Sequence, residues 1–255
     1  MKIYSLKAMN KKHENPILFI HGLMHGAWCW QKFYMPYFQK AGYDVYAIDL
    51  SNHYENQKEK SLKFTTLGDY VNDVKEAIEH IGEECILIGH SMGGMIVQKF
   101  LVENTCHKVV LIAPNPPKGV ISTVLKLALK HPLRFLIANI KMSLIPILGD
   151  KETAKWLFFG YTMDKEVFEE SFAKLQDDSF FAFLGIVFPF LKKAQQKIET
   201  LVIGAKDDNA ISESAIIETA DFHLGEYKFF DNMAHDMMLE KEWQKPADYI
   251  IEWLK

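Results

Sequence analysis

The chain has 255 residues, 24% charged and 49% hydrophobic, the balance of a globular protein of one large or two small domains. That composition excludes a disordered or collagen-like chain. With 29 Lys+Arg against 33 Asp+Glu the net charge is −4, so nucleic acid is not an expected partner. Cys29, Cys85 and Cys106 are odd in number and lack paired spacing, which excludes a disulfide framework and suits a reducing, cytoplasmic compartment.

In chain order, Met1 to Lys7 carries no long apolar run, and no signal peptide is expected. Ile17 to Ile20 is the first buried strand, followed by Val45 to Ile48, Ile86 to Ile88, Val109 to Ile112, Leu201 to Ile203 and Tyr227 to Phe230. Continuous apolar runs of this length suit strands buried on both faces, as in a parallel sheet. Leu67 to Ile81 reads as a helix capped by Thr65 or Thr66 and closed by Gly82. Met92 to Val102 and Trp243 to Leu254 read as two more. The alternation predicts an α/β sheet with right-handed crossovers.

The alternation stops between about Ala113 and Lys197. Thr123 to Lys130, Leu133 to Met142, Thr153 to Phe159 and Lys165 to Leu175 are helical in period, with no clear strand among them. The stretch is punctuated by prolines and dense in Phe and Trp. A helical cap over residues 114–196, inserted into a core of residues 1–113 and 197–255, is the simplest organisation. The apolar run Ala182 to Leu191 is too short to span a bilayer and contains Pro189.

Gly89-His90-Ser91-Met92-Gly93-Gly94 sits between a strand and a helix, the context that G-x-S-x-G chemistry requires. So sharp a turn strains the serine backbone and needs small residues on either side. It lifts the Ser91 hydroxyl out of the sheet at a helix N-terminus, where amide dipoles favour developing negative charge. The serine needs a base and the base an orienting acid. One downstream strand ends in Lys206-Asp207-Asp208 and the next in Asp231-Asn232-Met233-Ala234-His235, so the chain order is Ser91, an aspartate, His235. Asp207 and Asp208 compete for the acid role. His13, His53, His80, His107, His131 and His223 read as surface or loop residues, and His90 as a neighbour packed beside the turn. The loop His21-Gly22-Leu23-Met24-His25-Gly26 after the first strand supplies one oxyanion-hole N–H, assigned to Leu23, and Met92 supplies the other. His21 and His25 lack a helix and an H-E-x-x-H glutamate, so they shape the loop and no metal is expected.

These motifs are similar to those of the α/β-hydrolase superfamily along nearly the whole chain. The loop His21 to Trp30 resembles that of the plant methylesterase and hydroxynitrile lyase group. Gly89 to Gly94 resembles the serine turn of esterases, lipases and monoacylglycerol lipases. Gly204-Ala205-Lys206-Asp207 resembles the family's G-x-x-D acid turn, and Ala234 to Glu240 its histidine loop. The resemblance implies the α/β-hydrolase fold, a mostly parallel central sheet flanked by helices with an inserted helical cap. It implies a Ser91–His235–Asp207 triad, a Leu23/Met92 oxyanion hole and no cofactor. Hydroxynitrile lyases of that group carry Thr in place of Gly22 and Lys in place of Asp236, which argues against cyanohydrin cleavage. Arg134 is the only arginine, so an arginine clamp on a carboxylate is disfavoured.

The expected activity is hydrolysis of small-molecule carboxylic esters of apolar acyl or aryl groups through an acyl-enzyme. Thioester or C–C bond hydrolysis, or a ligand sensor that uses the same pocket without efficient turnover, are the alternatives. The aromatic insertion also leaves room for transient contact with a lipid surface, with no integral membrane segment.

Overall fold

The computed structural model describes residues 2–58, 61–160 and 162–255. Its seven strands are β1 (Lys2–Leu6), β2 (Ile17–Ile20), β3 (Val45–Asp49), β4 (Ile86–His90), β5 (Lys108–Ile112), β6 (Thr200–Ala205) and β7 (Glu226–Phe230). They form one sheet in the order β1-β3-β2-β4-β5-β6-β7. Every neighbouring pair is parallel except β1 with β3, in which Lys2 faces Asp49 and Leu6 faces Val45. Strands β2 and β3 are buried at every residue, as an apolar run covered on both faces must be. Strand β1 was not legible as one: at the sheet edge its burial is only partial, so no continuous apolar run marks it.

Helices cover both faces. In the first part of the chain they are α1 (Trp28–Gln31), α2 (Tyr34–Ala41), α3 (Leu67–Ile81) and α4 (Met92–Phe100). Thr66, not Thr65, caps α3. Its side chain takes the Asp69 N–H while the Asp69 carboxylate takes the Thr66 N–H, a reciprocal capping box, and Gly82 ends the helix at φ +74°.

The described residues between β5 and β6 contain helices and no strand. They are α5 (Ile121–Lys130), α6 (Pro132–Lys141), α7 (Ile145–Leu148), α8 (Lys151–Ala154), a π-helical turn (Lys155–Phe159), α9 (Lys165–Ala173) and α10 (Phe180–Val187). The helix expected over Thr153 to Phe159 is thus broken into α8 and a wider turn. Two further helices follow, α11 (Glu213–His223), which the sequence reading lacked and which packs on β6 and β7, and α12 (Gln244–Leu254), which packs on α2. No helix among the described residues is long and apolar enough to cross a membrane.

Candidate active site

The carboxyl ends of β2, β4, β6 and β7 converge on one place. Strand β4 runs directly into α4 through Ser91, whose φ of 51° and ψ of −116° lie outside the regions that side chains favour. Its N–H donates to the Ile112 carbonyl at 3.0 Å, which ties the turn to β5. The flanking glycines are required by contact. A Cβ on Gly89 would stand 2.6 Å from the Gly93 carbonyl oxygen, and one on Gly93 only 2.3 Å from that of Ile20. The Met92 N–H belongs to the first turn of α4, whose amides have no partner within the helix.

His235 follows β7 and is buried. Its Nδ1 lies 2.8 Å from Oδ2 of Asp208. The structure therefore corrects the sequence reading by one residue: Asp208, not Asp207, faces His235. Beyond β6 the main chain keeps pairing, with Lys206 N–H on the Phe230 carbonyl and Asp207 N–H on that of Met233, and the Asp207 side chain is exposed. The chain then turns in, and the other oxygen of Asp208 accepts the N–H groups of Ala210 and Ile211 at 2.7 and 2.9 Å. Three of its lone-pair directions are thus filled by fixed donors. G-x-x-D spacing does not register where a strand ends, and Gly204 still lies inside β6.

Burial alone would push the His235 pKa down. The charge and hydrogen bond of Asp208, with help from Asp236, outweigh it and raise the pKa above the ordinary imidazole value. Among the described residues Nε2 of His235 has no hydrogen-bond partner. Ser91, His235 and Leu23 line one cavity of about 60 Å³, whose other walls are mostly apolar: Val124 and Leu127 of α5, Phe158 of the π-turn, Phe183 and Ile186 of α10. Asn115 and Thr123 are its other polar neighbours. Of the aromatics expected over the site, Phe158 and Phe183 reach it. Phe168 packs between Phe159 and Phe172 instead.

Behind His235 lies a second layer. Asp236 is fully buried, with Oδ2 2.8 Å from Nε2 of His25 and Oδ1 3.6 Å from Nε2 of His90. Burial would raise the Asp236 pKa, but His25, His90 and His235 together hold it below the usual range. His90 packs beside the turn as expected, with Nε2 3.1 Å from the His235 carbonyl. Burial and the neighbouring His235 push its pKa down to about 3, so it stays neutral. His21 is neutral as well: Leu50 N–H donates to its Nε2, leaving Nδ1–H for the Gly22 carbonyl. Among the described residues His90, His235 and Asp236 are the one group of three whose ligand atoms lie near enough for a cation, within 4.8 Å of one another. His235 already meets Asp208 through Nδ1, and Asp236 meets His25 through Oδ2.

One histidine read as a surface residue is buried and structural. His53 has Nδ1 3.2 Å from the Ser51 carbonyl and Nε2 3.1 Å from Asp178, both acceptors. Asp178 also takes the N–H of Met24 at 2.6 Å and the hydroxyl of Tyr70 at 3.1 Å. No short motif marks this contact, because its partners are 125 residues apart.

The comparisons agree with this fold. The family model described as "Alpha/beta hydrolase family" matches residues 17–249. Among curated proteins, Methylesterase 7 of Arabidopsis thaliana is 34% identical over 90 residues, and Norfluorocurarine synthase 1 of a Strychnos species is 37% identical over 91. Each match covers about a third of this chain (34% and 35%) and 34% of the relative. Among solved structures, the Paleococcus ferrophilus monoacylglycerol lipase superposes with a TM-score of 0.73 over 100% of this chain and 98% of its own, at 19% identity. MenH from S. aureus gives 0.73 over 99% and 95%, at 15% identity, so both are likenesses of fold. With the sheet, the strained serine turn and a family match from Ile17 to Tyr249 in hand, the chain belongs to the alpha/beta hydrolase family.

Proposed function

We propose that the chain is a serine-dependent carboxylic ester hydrolase, with Ser91 as nucleophile, His235 as base and Asp208 as its orienting acid. The observation that carries this is the strained Ser91 turn sharing a cavity with His235, whose far nitrogen is held by Asp208. Asp208 fixes the tautomer that leaves Nε2 bare toward Ser91. Nε2 takes the hydroxyl proton as Oγ bonds to the ester carbonyl carbon. The oxyanion forms at the Leu23 and Met92 amides. His235 then gives that proton to the departing alcohol, leaving an acyl group on Ser91. A water molecule, deprotonated by His235, releases the acid and restores the serine. No cofactor enters these steps.

The walls supplied by α5, the π-turn and α10 are read as a cap, residues 114–196, over the core of 1–113 and 197–255. Their apolar character favours neutral esters with an aliphatic or aryl acyl group, met in solution or at a lipid surface. Methylesterases among the relatives and a monoacylglycerol lipase among the folds support small esters as the class. The test is release of p-nitrophenol from short p-nitrophenyl esters. Turnover should follow burst or steady kinetics in the wild type and fall in Ser91→Ala to the ~10³–10⁴-fold residual acceleration of a site without its nucleophile. Unchanged turnover in Ser91→Ala would end this reading.

A further inference from the structure

Helices α5 and α6 are two-faced, and only one face is used by the fold. On α5, Val124 and Leu127 wall the cavity at Ser91. The opposite stripe, Ile121, Leu125 and Leu129, spaced i, i+4, i+8, is exposed, Leu129 by 83%. On α6, Leu133, Leu136 and Ile140 form a second exposed stripe, Leu133 by 68% and Ile140 by 74%. The patch continues beyond α6. Lys63 Nζ donates to the Lys141 carbonyl, and beside it half-exposed Phe64 packs against Phe181 of α10. Isolated surface leucines need no explanation, but contiguous stripes on adjoining helices do.

Within the segment that carries these stripes the charge is of one sign. No Asp or Glu occurs between Glu103 and Asp150, whereas Lys118, Lys126, Lys130, Arg134 and Lys141 fall within or beside the two helices. This is a basic segment on a chain of net charge −4. Lys118 meets Glu218 at 3.4 Å, Arg134 meets Asp150 at 3.0 Å and Lys130 lies over the Trp156 ring at 4.1 Å, which leaves Lys126 and Lys141 as the cations without an acidic partner among the described residues. Aliphatic residues on one side and lysines on the flank suit an interface whose interior is hydrocarbon and whose edge is anionic. A second copy docked by a twofold axis would set this basic segment against itself, with no acid in it to relieve the repulsion.

We propose that the outer face of α5 and α6 docks onto the surface of an anionic lipid bilayer, placing the roof of the Ser91 cavity against the lipid. The docking deepens the ester-hydrolase reading by naming where its substrate is met, and it is measured apart from hydrolysis. Flotation with equimolar phosphatidylcholine–phosphatidylglycerol vesicles should carry the wild-type protein. Phosphatidylcholine alone should carry much less, and high salt should release the bound fraction. Leu129→Ser with Ile140→Ser should lower partitioning about tenfold per side chain, and Lys126→Gln with Lys141→Gln should abolish the preference for the anionic lipid. Hydrolysis of soluble p-nitrophenyl acetate by the Leu129→Ser/Ile140→Ser protein should match the wild type, showing that it is folded. Vesicle binding without ester turnover in the wild type would overturn the hydrolase reading and leave the docking standing. The docking is overturned by wild-type protein that does not float, or by equal flotation of the doubly substituted protein. It is equally overturned by light scattering that shows a dimer dissolved by those same substitutions.

Discussion

Two buried histidine–aspartate pairs lie in different regions of this molecule and teach different things. His235–Asp208 stands at the carboxyl edge of the sheet, and His53–Asp178 where the segment between β5 and β6 meets the loop after β3. Both imidazoles are buried, and in both an adjacent carboxylate raises the pKa against the opposing effect of burial. They differ in the second nitrogen. In His53 it faces the Ser51 carbonyl, so both nitrogens are committed to acceptors and neither is left to take a proton from a substrate. In His235 it has no partner among the described residues and borders a cavity shared with Ser91. Proximity to a carboxylate therefore does not mark a base; an uncommitted nitrogen beside a nucleophile does.

That contrast can be broken by substitution. The largest effect is expected at Asp208. Asp208→Asn should cost about 10⁴-fold in kcat by favouring the wrong tautomer of His235, while Asp207→Asn should leave kcat near the wild-type value, both read by steady-state kinetics. Loss at Asp207 instead would mean that the turn has been placed one residue out. At the other pair the cost should fall on stability. Asp178→Ala strands the buried His53 ring, the Met24 N–H and the Tyr70 hydroxyl, and should cost about 3–5 kcal/mol in denaturant unfolding. Because Met24 adjoins Leu23, some kcat should be lost too, but far less than at Asp208.

The pairs also part in their response to pH. The raised His235 pKa means that the free base appears only above about pH 6.5, so kcat/KM should climb above that value. In Asp208→Asn the carboxylate's support is gone and burial dominates, so the limb should move to lower pH even as the rate falls. For His53, raised in the fold, the stabilising contribution is full below about pH 6.5 and lost as pH rises through the folded value. For Asp178, lowered in the fold, it is present above about pH 3.9 and lost as pH falls through the folded value. Unfolding free energy should thus owe most to this pair between about pH 4 and 6.5, and Asp178→Ala should flatten that window.

Smaller effects sharpen the site itself. A Cβ at Gly22 would stand 2.9 Å from Nδ1 of His90 and 3.0 Å from the Ser91 Cβ, so Gly22→Ala should displace the serine by tenths of an ångström. A kcat loss of up to about 10²-fold with little change in Tm is expected. Smallest of all is the dependence on acyl length. Each added methylene should raise kcat/KM about three- to fourfold until the cavity between Leu127 and Phe183 is full. A flat series from acetate to octanoate would remove the case for an apolar acyl pocket.

The sheet was legible because its strands are local apolar runs, and Ser91 and His235 because each sits in a short motif at a strand end. What was not legible depends on distance or on register. Lys2–Leu6 pairs only at an edge, so its alternation is weak. The choice between Asp207 and Asp208 turned on where β6 stops pairing, which G-x-x-D spacing does not encode. His53 was misread because its partner comes from the far side of the insertion, and nothing within a few residues of it signals burial. The aromatic density between β5 and β6 announced a helical segment but not which rings reach the cavity. Phe158 and Phe183 do, while Phe190 is 88% exposed.

The most direct test of Ser91, His235 and Asp208 acting as one unit is the rate and position of covalent labelling by a fluorophosphonate, read by peptide mass spectrometry. The predicted result is a single adduct on Ser91 in the wild type, formed at an unchanged rate in Asp207→Asn and severely slowed in Asp208→Asn and His235→Ala. An adduct on another serine, or labelling of Ser91 that is indifferent to Asp208, would contradict the account.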